Sequence, residues 1–190
     1  MILKRVLPYT HSLLRSALNE GDIAVDCTAG NGHDTQLLAE AVGATGKVFA
    51  FDIQQEAIHN THKRLDDASL LERVELIHGS HSTMNDHIPE TYNGKVKAAV
   101  FNLGYLPGGD KEVVTTADST IHAIQHLLNI LCPGGIIAIV IYHGHPGGKV
   151  EKDAVLQYAS QLDQKDVDVM QYQYINQKNN PPFLVALQKK

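Results

Sequence analysis

The chain has 190 residues, a formal net charge of −5 and a hydrophobic fraction of 43%, which suits one domain over residues 1–190 with an ordinary core. No apolar run approaches the ~20 residues of a membrane span, and residues 1–5 lack the apolar core of a signal peptide. We therefore expect a cytoplasmic protein. The acidic balance argues weakly against a general nucleic-acid coat protein, and the two cysteines form no metal or disulfide motif.

Hydrophobic periodicity and turn residues divide the chain into alternating strands and helices. Strands are predicted at 23–25, 47–52, 74–77, 97–101, 136–142, 167–175 and 183–187, and helices at 8–18, 35–42, 54–65, 117–131 and 150–162. Helices between the first six strands, and a closing hairpin, imply parallel crossovers followed by one antiparallel strand. The expected fold is therefore α/β and Rossmann-like: a seven-stranded, mostly parallel sheet with helices on both faces.

The turn at residues 26–34 is the feature around which the chain is organised. Gly30 and Gly32 let a ligand approach the backbone and the unpaired N–H groups of the following helix. A dinucleotide site would need a third glycine, where Thr35 stands, and Asp34 would repel a pyrophosphate. That carboxylate suits the cationic groups of S-adenosylmethionine (SAM) instead. The pattern predicts a class I SAM-dependent methyltransferase fold, with a cofactor site that includes Asp26, Gly30, Gly32, Asp34 and Thr35.

Two later strand ends extend the predicted cofactor site, because ligands of open parallel sheets lie beyond the carboxyl ends of the strands. Asp52 ends the second strand at the spacing expected of a carboxylate that binds ribose hydroxyls. The alternative is that Asp52 only caps the helix that begins near Gln54. Ser80 and His81 follow the third strand, where related enzymes commonly hold adenine with an acidic side chain, and we predict that these two residues bind adenine.

The loop after the fourth strand, residues 102–107, looks like a variant of the Asn-Pro-Pro-Tyr loop of amino-methyltransferases. An amine attacks a methyl group through a lone pair that is aligned opposite the leaving sulfur, about 3 Å away. We predict that Asn102 orients such an amine and that Tyr105 stacks on a base. The alternative is a polar strand end followed by an ordinary turn in which Tyr105 is packed.

The loop after the fifth strand is rich in histidine and glycine. His143 and His145 could take the proton that an amine must lose, or contact a phosphate, although inert exposed histidines are an equal alternative. Two histidines without a third ligand do not predict a metal site. Lys149 belongs to a candidate basic patch or is a solvated surface charge. The literal Asn-Pro-Pro-Phe at 180–183 lies between the last two strands, which predicts a rigid hairpin entry, with a border of the substrate pocket as the alternative.

Three segments together, residues 26–34, 102–111 and 144–148, carry a resemblance that runs nearly end to end. The sequence resembles the bacterial YtqB-like rRNA methylases, now understood as the MnmM family of tRNA methyltransferases. The resemblance implies a class I fold, SAM as the methyl donor, the tRNA anticodon stem-loop as partner, and a homodimer. The implied reaction converts 5-aminomethyl-(2-thio)uridine at the wobble position to its N-methylated form.

The resemblance also implies roles for individual residues. It assigns Asn31, Asp34, Asp52, Gln54, Ser80 and His81 to SAM. On the substrate side it assigns Asn102, Tyr105 and the segment Tyr142–His145, which includes His143 and His145, and to these we add Leu103, Gly104 and Lys149. A methyltransferase of rRNA or of a small amine remains an alternative, as does a protein that is not a methyltransferase, either an NAD-binding oxidoreductase or a silent binding module.

Overall fold

The computed structural model describes residues 2–106, 108 and 113–190. In these residues the α-helices are α1 (Val6–Ala17), α2 (His33–Val42), α3 (Gln55–Asp67), α4 (Ala117–Ile130) and α5 (Gly148–Ser160). The strands are β1 (Ile23–Asp26), β2 (Lys47–Asp52), β3 (Val74–His78), β4 (Val96–Leu103), β5 (Leu131–Ile141), β6 (Val167–Tyr172) and β7 (Phe183–Lys189). No helix in these described stretches is both long and apolar enough to cross a bilayer.

The strands form one sheet in the order β3-β2-β1-β4-β5-β7-β6. β7 pairs antiparallel with both β5 and β6, whereas the pairs from β3 to β5 are parallel. The predicted sheet, mostly parallel with one antiparallel strand, is confirmed. The chain reverses its direction of travel across the sheet between β1 and β4, and this switch point is where an open α/β sheet forms a ligand crevice.

Both faces of the sheet are covered, which explains why its central strands are mostly apolar. On one face, Phe101 of β4 and Ile139 of β5 join a core that includes Leu127 of α4 and Val155 of α5. On the other, the alternate strand positions are small residues such as Ala98 and Val140, which join a core with residues of α1, α2 and α3. The predicted arrangement of helices on both faces is therefore confirmed.

The connection from β3 to β4 differs from the prediction of a helix between each pair of the first six strands. Two short 3-10 helices, His81–Asp86 and Glu90–Tyr92, replace an α-helix there. The segment contains Pro89 and lacks the apolar spacing of an amphipathic helix. Met84 and Ile88 of this segment are buried on the sheet instead. They join the same hydrophobic core as the strand residues Phe49, Phe51 and Phe101.

Candidate active site

A cavity of about 940 Å³ lies at the carboxyl ends of β1, β2, β4 and β5, the edge of the sheet predicted to bind ligands. Loops that follow these strands form most of its wall, and α1 closes one side with Leu7 and His11. The cavity brings together most of the predicted site residues, namely Gly30, Asn31, Asp34, Asp52, Gln54, Ser80, His81, Asn102, Leu103, Gly104, Tyr105, Tyr142, His143 and His145.

The glycine turn after β1 is held in place by α3. Gly30 has a φ of 55°, and its carbonyl accepts a hydrogen bond from the Thr61 hydroxyl at 3.1 Å. Arg64 Nε donates to the Asn31 carbonyl at 2.7 Å. Gly32 does not line the cavity, and a Cβ on this residue would lie 2.9 Å from the Thr61 Cα. The second glycine is therefore required for the close approach of two helices rather than for contact with a ligand.

The carboxylate of Asp52 is fixed by two backbone N–H groups. Oδ2 accepts from Gly30 N at 2.9 Å and Oδ1 accepts from Gln54 N at 2.9 Å. Both interpretations of the sequence therefore have a structural basis, since Asp52 lines the cavity and also binds Gln54, the residue immediately before α3. Beside it, the apolar side chain of Ile53 is 50% exposed in the cavity wall.

His81 lines the same end of the cavity. Its Nδ1 pairs with the Cys27 carbonyl at 2.9 Å, and because a carbonyl only accepts, the proton must lie on Nδ1. Nε2 is then an acceptor, and it is buried without a hydrogen-bond partner among the described residues. Burial lowers the pKa of His81, so the ring stays neutral. Neighbouring Ser80 uses its hydroxyl to accept from Ser82 N at 3.2 Å, which caps the following 3-10 turn.

Asp26 and Thr35 lie beneath the cavity instead of in its wall. Asp26 is fully buried, and its carboxylate accepts from the Thr35 hydroxyl at 2.6 Å and from Thr28 N at 3.1 Å. Burial, with a smaller contribution from the charge of Asp34, raises the pKa of Asp26 from 3.8 to about 7. Asp26 and Thr35 were predicted to bind the cofactor, but neither residue lines the cavity. Their hydrogen bonds instead stabilise the turn between β1 and α2.

Three hydrogen-bonded side chains line the cavity in a row, namely Asn102, Asp34 and His11. Asp34, in the first turn of α2, accepts from Nδ2 of Asn102 with one carboxylate oxygen and contacts His11 Nε2 with the other at 2.7 Å. Because a carboxylate only accepts, the contact fixes the Asn102 amide with its nitrogen toward Asp34. The Asn102 backbone is also fixed, since its N–H donates to the Thr28 hydroxyl at 2.7 Å.

His11 and Glu151 are two residues of the site that the sequence analysis did not identify. His11 lies on α1 in the stripe shared by Leu7 and Leu14, and a polar residue within such a stripe was the available signal. Glu151 of α5 is 3% exposed and accepts from the hydroxyls of Thr115 at 2.7 Å and Thr120 at 2.8 Å.

Thr115 in turn positions the start of the loop after β4. Its hydroxyl accepts from Gly104 N at 3.1 Å, and its own N–H donates to the Gly104 carbonyl at 3.1 Å. Buried Glu151 therefore ties this loop to α5. The remainder of the predicted 102–111 motif at 107 and 109–111 lies outside the described residues.

The loop after β5 supplies the opposite wall. Tyr142 donates its N–H to the Leu103 carbonyl at 3.1 Å, and burial followed by the charge of Asp34 raises the pKa of its phenol. The ring of His145 meets that of Tyr105 edge to face at 5.9 Å. His143 packs edge to face on Phe183 at 5.7 Å. Lys149 lies on the exposed side of α5 and does not line the cavity.

The segment at 180–183 borders the cavity, as the alternative interpretation allowed. It connects β6 to β7, as predicted from its position in the chain. Asn180 nevertheless reaches the cavity wall, and its Cβ would lie 3.8 Å from a Cβ built on Gly144. The closing hairpin therefore contributes to the site.

Comparison with known proteins decides the family. The family model described as "Putative rRNA methylase" matches residues 48–188. The chain belongs to this family. A structure from Clostridium thermocellum described as a "putative rRNA-methylase" is 44% identical, with each chain covered to 99% and a TM-score of 0.95. A "putative methyltransferase" from Streptococcus mutans, crystallised with SAH, is 40% identical, with each chain covered to 99% and a TM-score of 0.90.

A curated relative links the family to tRNA modification. The chloroplastic tRNA (mnm5s2U34)-methyltransferase of Arabidopsis thaliana is 37% identical over an alignment 195 residues long, gaps included. The alignment covers 98% of this chain and 70% of the relative. With the SAH-bound structure, this relative shows that the present family member is a SAM-dependent methyltransferase.

The cavity fits the cofactor of the family. The fixed carboxylate of Asp52 can accept from ribose hydroxyls, and exposed Ile53 offers an apolar surface for a base. The Nε2 atom of His81, which has no hydrogen-bond partner among the described residues, can accept a hydrogen bond from the amine of adenine. A buried acceptor without a partner is costly, so a donor from the cofactor would complete the hydrogen bonding of the cavity wall.

Proposed function

We propose that this methyltransferase acts on the aminomethyl group of 5-aminomethyl-(2-thio)uridine at the tRNA wobble position and forms 5-methylaminomethyl-(2-thio)uridine. The observation that carries the proposal is Asn102, fixed in the cavity with its amide nitrogen on Asp34. That orientation leaves the amide oxygen as the side-chain acceptor for an amine. The likeness to the Arabidopsis wobble-uridine enzyme over 98% of this chain supports the choice of substrate.

Asn102 acts by aiming the attacking lone pair. SAM supplies an electrophilic methyl group on a sulfonium. In this proposal the Asn102 oxygen accepts one N–H of the amine, and a backbone carbonyl of the loop after β4 accepts the other. When both N–H groups of the amine are hydrogen-bonded, its lone pair points in one direction. The amine is then already oriented before attack, which lowers the entropic part of the activation barrier. Asp34 and Thr28 hold Asn102 still, and Glu151 and Thr115 hold the loop that follows it.

His143 accepts the proton that the substrate ammonium sheds before attack. Its ring lines the cavity, and Nδ1 is buried without a hydrogen-bond partner among the described residues. Burial, and then the charge of Lys152, lowers the pKa of His143, which favours the neutral ring that can accept a proton. Tyr105, whose side chain is 41% exposed and braced by His145, offers a face on which the uracil ring stacks.

Contact with tRNA by an acidic protein requires a local concentration of lysine. Lys149 lies in the first turn of α5, beside the cavity loop, and is exposed, and it contacts a phosphate in this proposal.

We also propose a homodimer. The edge strand β6 exposes Val169 and Met170 at 41% and 39%, and Ile175 beyond it at 89%, which are apolar surfaces that a second copy can cover. Light scattering coupled to size exclusion gives the mass that tests this.

The decisive experiment is methyl transfer from labelled SAM to bulk tRNA from cells that lack the final wobble methylation, with nucleoside mass spectrometry of the product. Conversion of aminomethyl- to methylaminomethyl-uridine is the expected result. The description of the family names rRNA, so ribosomal RNA and small amines are assayed in parallel. Methylation of either of these, without any of tRNA, would overturn the proposal while leaving the SAM-dependent activity in place.

A further inference from the structure

The first turn of α5 carries a buried acid that does not line the cavity. Glu151 is 3% exposed, and among the described residues it forms no ion pair with a lysine or an arginine. Its two carboxylate oxygens instead accept one hydroxyl each, Oε2 from Thr115 at 2.7 Å and Oε1 from Thr120 at 2.8 Å. A buried charge without a cation costs stability relative to an apolar side chain of the same size. The acid therefore has a task other than packing.

The two hydroxyl donors to Glu151 differ in what else they contact. Thr120 is a buried residue of α4, and its hydroxyl donates to Glu151. Thr115 lies outside α4, at the end of the loop after β4. Its hydroxyl also accepts from Gly104 N, and its own N–H donates to the Gly104 carbonyl, both at 3.1 Å. Thr115 therefore closes the base of this loop, whereas Thr120 belongs to the helix that follows.

A relay of two hydrogen bonds connects the carboxylate to the backbone of the loop. The Gly104 N–H donates to the Thr115 hydroxyl, and this hydroxyl donates in turn to Glu151. A charged acceptor strengthens the bond from the hydroxyl and polarises it, so that the hydroxyl oxygen accepts better from the next donor. The buried charge thus fixes the Gly104 peptide more firmly than a neutral acceptor would.

Gly104 lies where the two walls of the substrate side meet. A Cβ built on Gly104 would be 3.4 Å from Tyr142 Cβ and 3.8 Å from His145 Nε2, both in the loop after β5. The next residue, Tyr105, carries the ring proposed to stack on the uracil. The carboxylate of Asp52, assigned to the cofactor, lies on another strand. A shift of Gly104 therefore displaces groups on the substrate side and leaves the cofactor wall in place.

We propose that Glu151 is a positioning residue for methyl transfer, which acts through the Thr115 hydroxyl to fix the loop that receives the acceptor amine. The inference rests on the proposed function, because it takes the loop after β4 to hold the substrate. Glu151 touches neither substrate nor cofactor, since it does not line the cavity. Its loss lowers the rate of the chemical step rather than the affinity for SAM. A helix outside the cavity wall thereby contributes to catalysis.

A pair of threonine variants separates positioning from stability. Thr115→Val and Thr120→Val each remove one hydroxyl from the Glu151 carboxylate and keep the branched shape of the side chain. Only Thr115→Val also breaks the link to the loop. Thr115→Ser, which retains the hydroxyl, is the conservative variant. For each protein, kcat and KM are measured with tRNA from cells that lack the final wobble methylation, the SAM dissociation constant by calorimetry, and the melting temperature by circular dichroism.

The two valine variants should lose similar stability, with melting temperatures about 5 °C below wild type, because each leaves a buried carboxylate oxygen without its donor. Turnover should separate them. We expect kcat to fall about 30-fold in Thr115→Val, the scale of a small misplacement of the reacting groups, and less than about threefold in Thr120→Val. KM for tRNA and the SAM dissociation constant should change less than about threefold in both. Thr115→Ser should retain most of the wild-type kcat.

Glu151→Gln tests the charge directly. Its single amide oxygen can accept only one of the two hydroxyls, so kcat should fall by about tenfold. Equal losses of kcat in the two valine variants, or a loss of SAM affinity that parallels kcat in Thr115→Val, would overturn the positioning role. Absence of tRNA methylation by wild type would overturn the proposed function alone, and the same variants are then compared on the RNA or amine that wild type methylates.

Discussion

At the scale of single residues, the site depends on carboxylates that orient other groups. Asp34 fixes the Asn102 amide on one side and holds His11 on the other. Asp52 is itself fixed by the N–H groups of Gly30 and Gln54. Asp26 supports the turn from below through Thr35 and Thr28. The three acids have different tasks, and each task predicts a different consequence of substitution.

Asn102→Ala removes the oxygen proposed to aim the amine and should leave the cofactor wall intact. We expect turnover to fall about 100-fold, the scale of a lost near-attack geometry, while the SAM dissociation constant from calorimetry changes by less than about threefold. His11→Ala, which removes only a brace of Asp34, should lower turnover by a smaller factor. A collapse of SAM affinity in Asn102→Ala would show that this loop belongs to the cofactor site.

Asp52→Ala removes the acceptor assigned to the ribose hydroxyls. A hydrogen bond to a charged group contributes about 1.5–3 kcal/mol, so SAM affinity should fall by about tenfold or more in calorimetry. Asp52→Asn is the matched variant, since one amide oxygen can still accept a hydrogen bond, and it should lose less. SAM binding that is unchanged in Asp52→Ala would leave Asp52 with only its structural contacts to the N–H groups of Gly30 and Gln54.

The raised pKa of Asp26 makes a prediction about the pH dependence of stability. Because the pKa is about 7 in the folded protein and 3.8 ordinarily, the folded state binds more protons between these pH values. The Asp26 contribution to the free energy of unfolding is therefore most favourable below about pH 4 and declines as the pH rises towards 7. Urea titrations at pH 5 and pH 8 should show a smaller decline for Asp26→Asn than for wild type. Equal declines would contradict the shift.

At the scale of elements, the packing of α2 against α3 depends on one glycine. Gly32 has a φ of 79°, and a Cβ there would meet the Thr61 Cα at 2.9 Å. Gly94 has a similar φ of 71°, but a Cβ there meets nothing within 4 Å. Gly32→Ala therefore combines backbone strain with a clash against backbone, whereas Gly94→Ala has the strain alone.

The two glycine variants should differ clearly in stability. Strain at a positive φ costs about 1 kcal/mol, and forcing two packed helices apart costs roughly 1–3 kcal/mol more. Gly32→Ala should lower the free energy of unfolding in urea by about 2–4 kcal/mol, and Gly94→Ala by about 1 kcal/mol. Losses of equal size would show that the clash is relieved by a small shift of α3.

The order of elements could be predicted from the sequence because each strand and helix carries its own periodicity. The segment between β3 and β4 could not, because its 3-10 turns are stabilised by burial of Met84 and Ile88 rather than by a repeating pattern. Residues at strand ends, such as Asn102 and Asp52, could be assigned to the cavity because parallel strands end at one edge. His11 and the closing hairpin reach the cavity, and Glu151 reaches the loop after β4, only through tertiary packing, which local spacing does not specify.

At the scale of the whole molecule, an acidic chain is proposed to bind a polyanion. If phosphates contact about three lysines, raising salt from 50 to 200 mM should weaken tRNA binding roughly 20-fold, while SAM binding changes less than about twofold. Filter binding and calorimetry measure the two constants. Lys149→Gln should reduce the salt slope, whereas Lys165→Gln should not, because Lys165 precedes β6 at the opposite end of the strands. Salt-independent tRNA binding would count against the phosphate contacts.

The position of β7 has a consequence for the synthesis of the enzyme. β7 follows β5 and β6 in sequence but lies between them in the sheet, so β6 has no neighbour until residues 183–189 are made. A ribosome that stops earlier releases a chain whose β5 exposes a long apolar edge, which is a template for aggregation. Asn180 joins the cavity in the same step. Assembly of the catalytic centre thus waits for the last strand, and we expect translation products that lack β7 to be inactive.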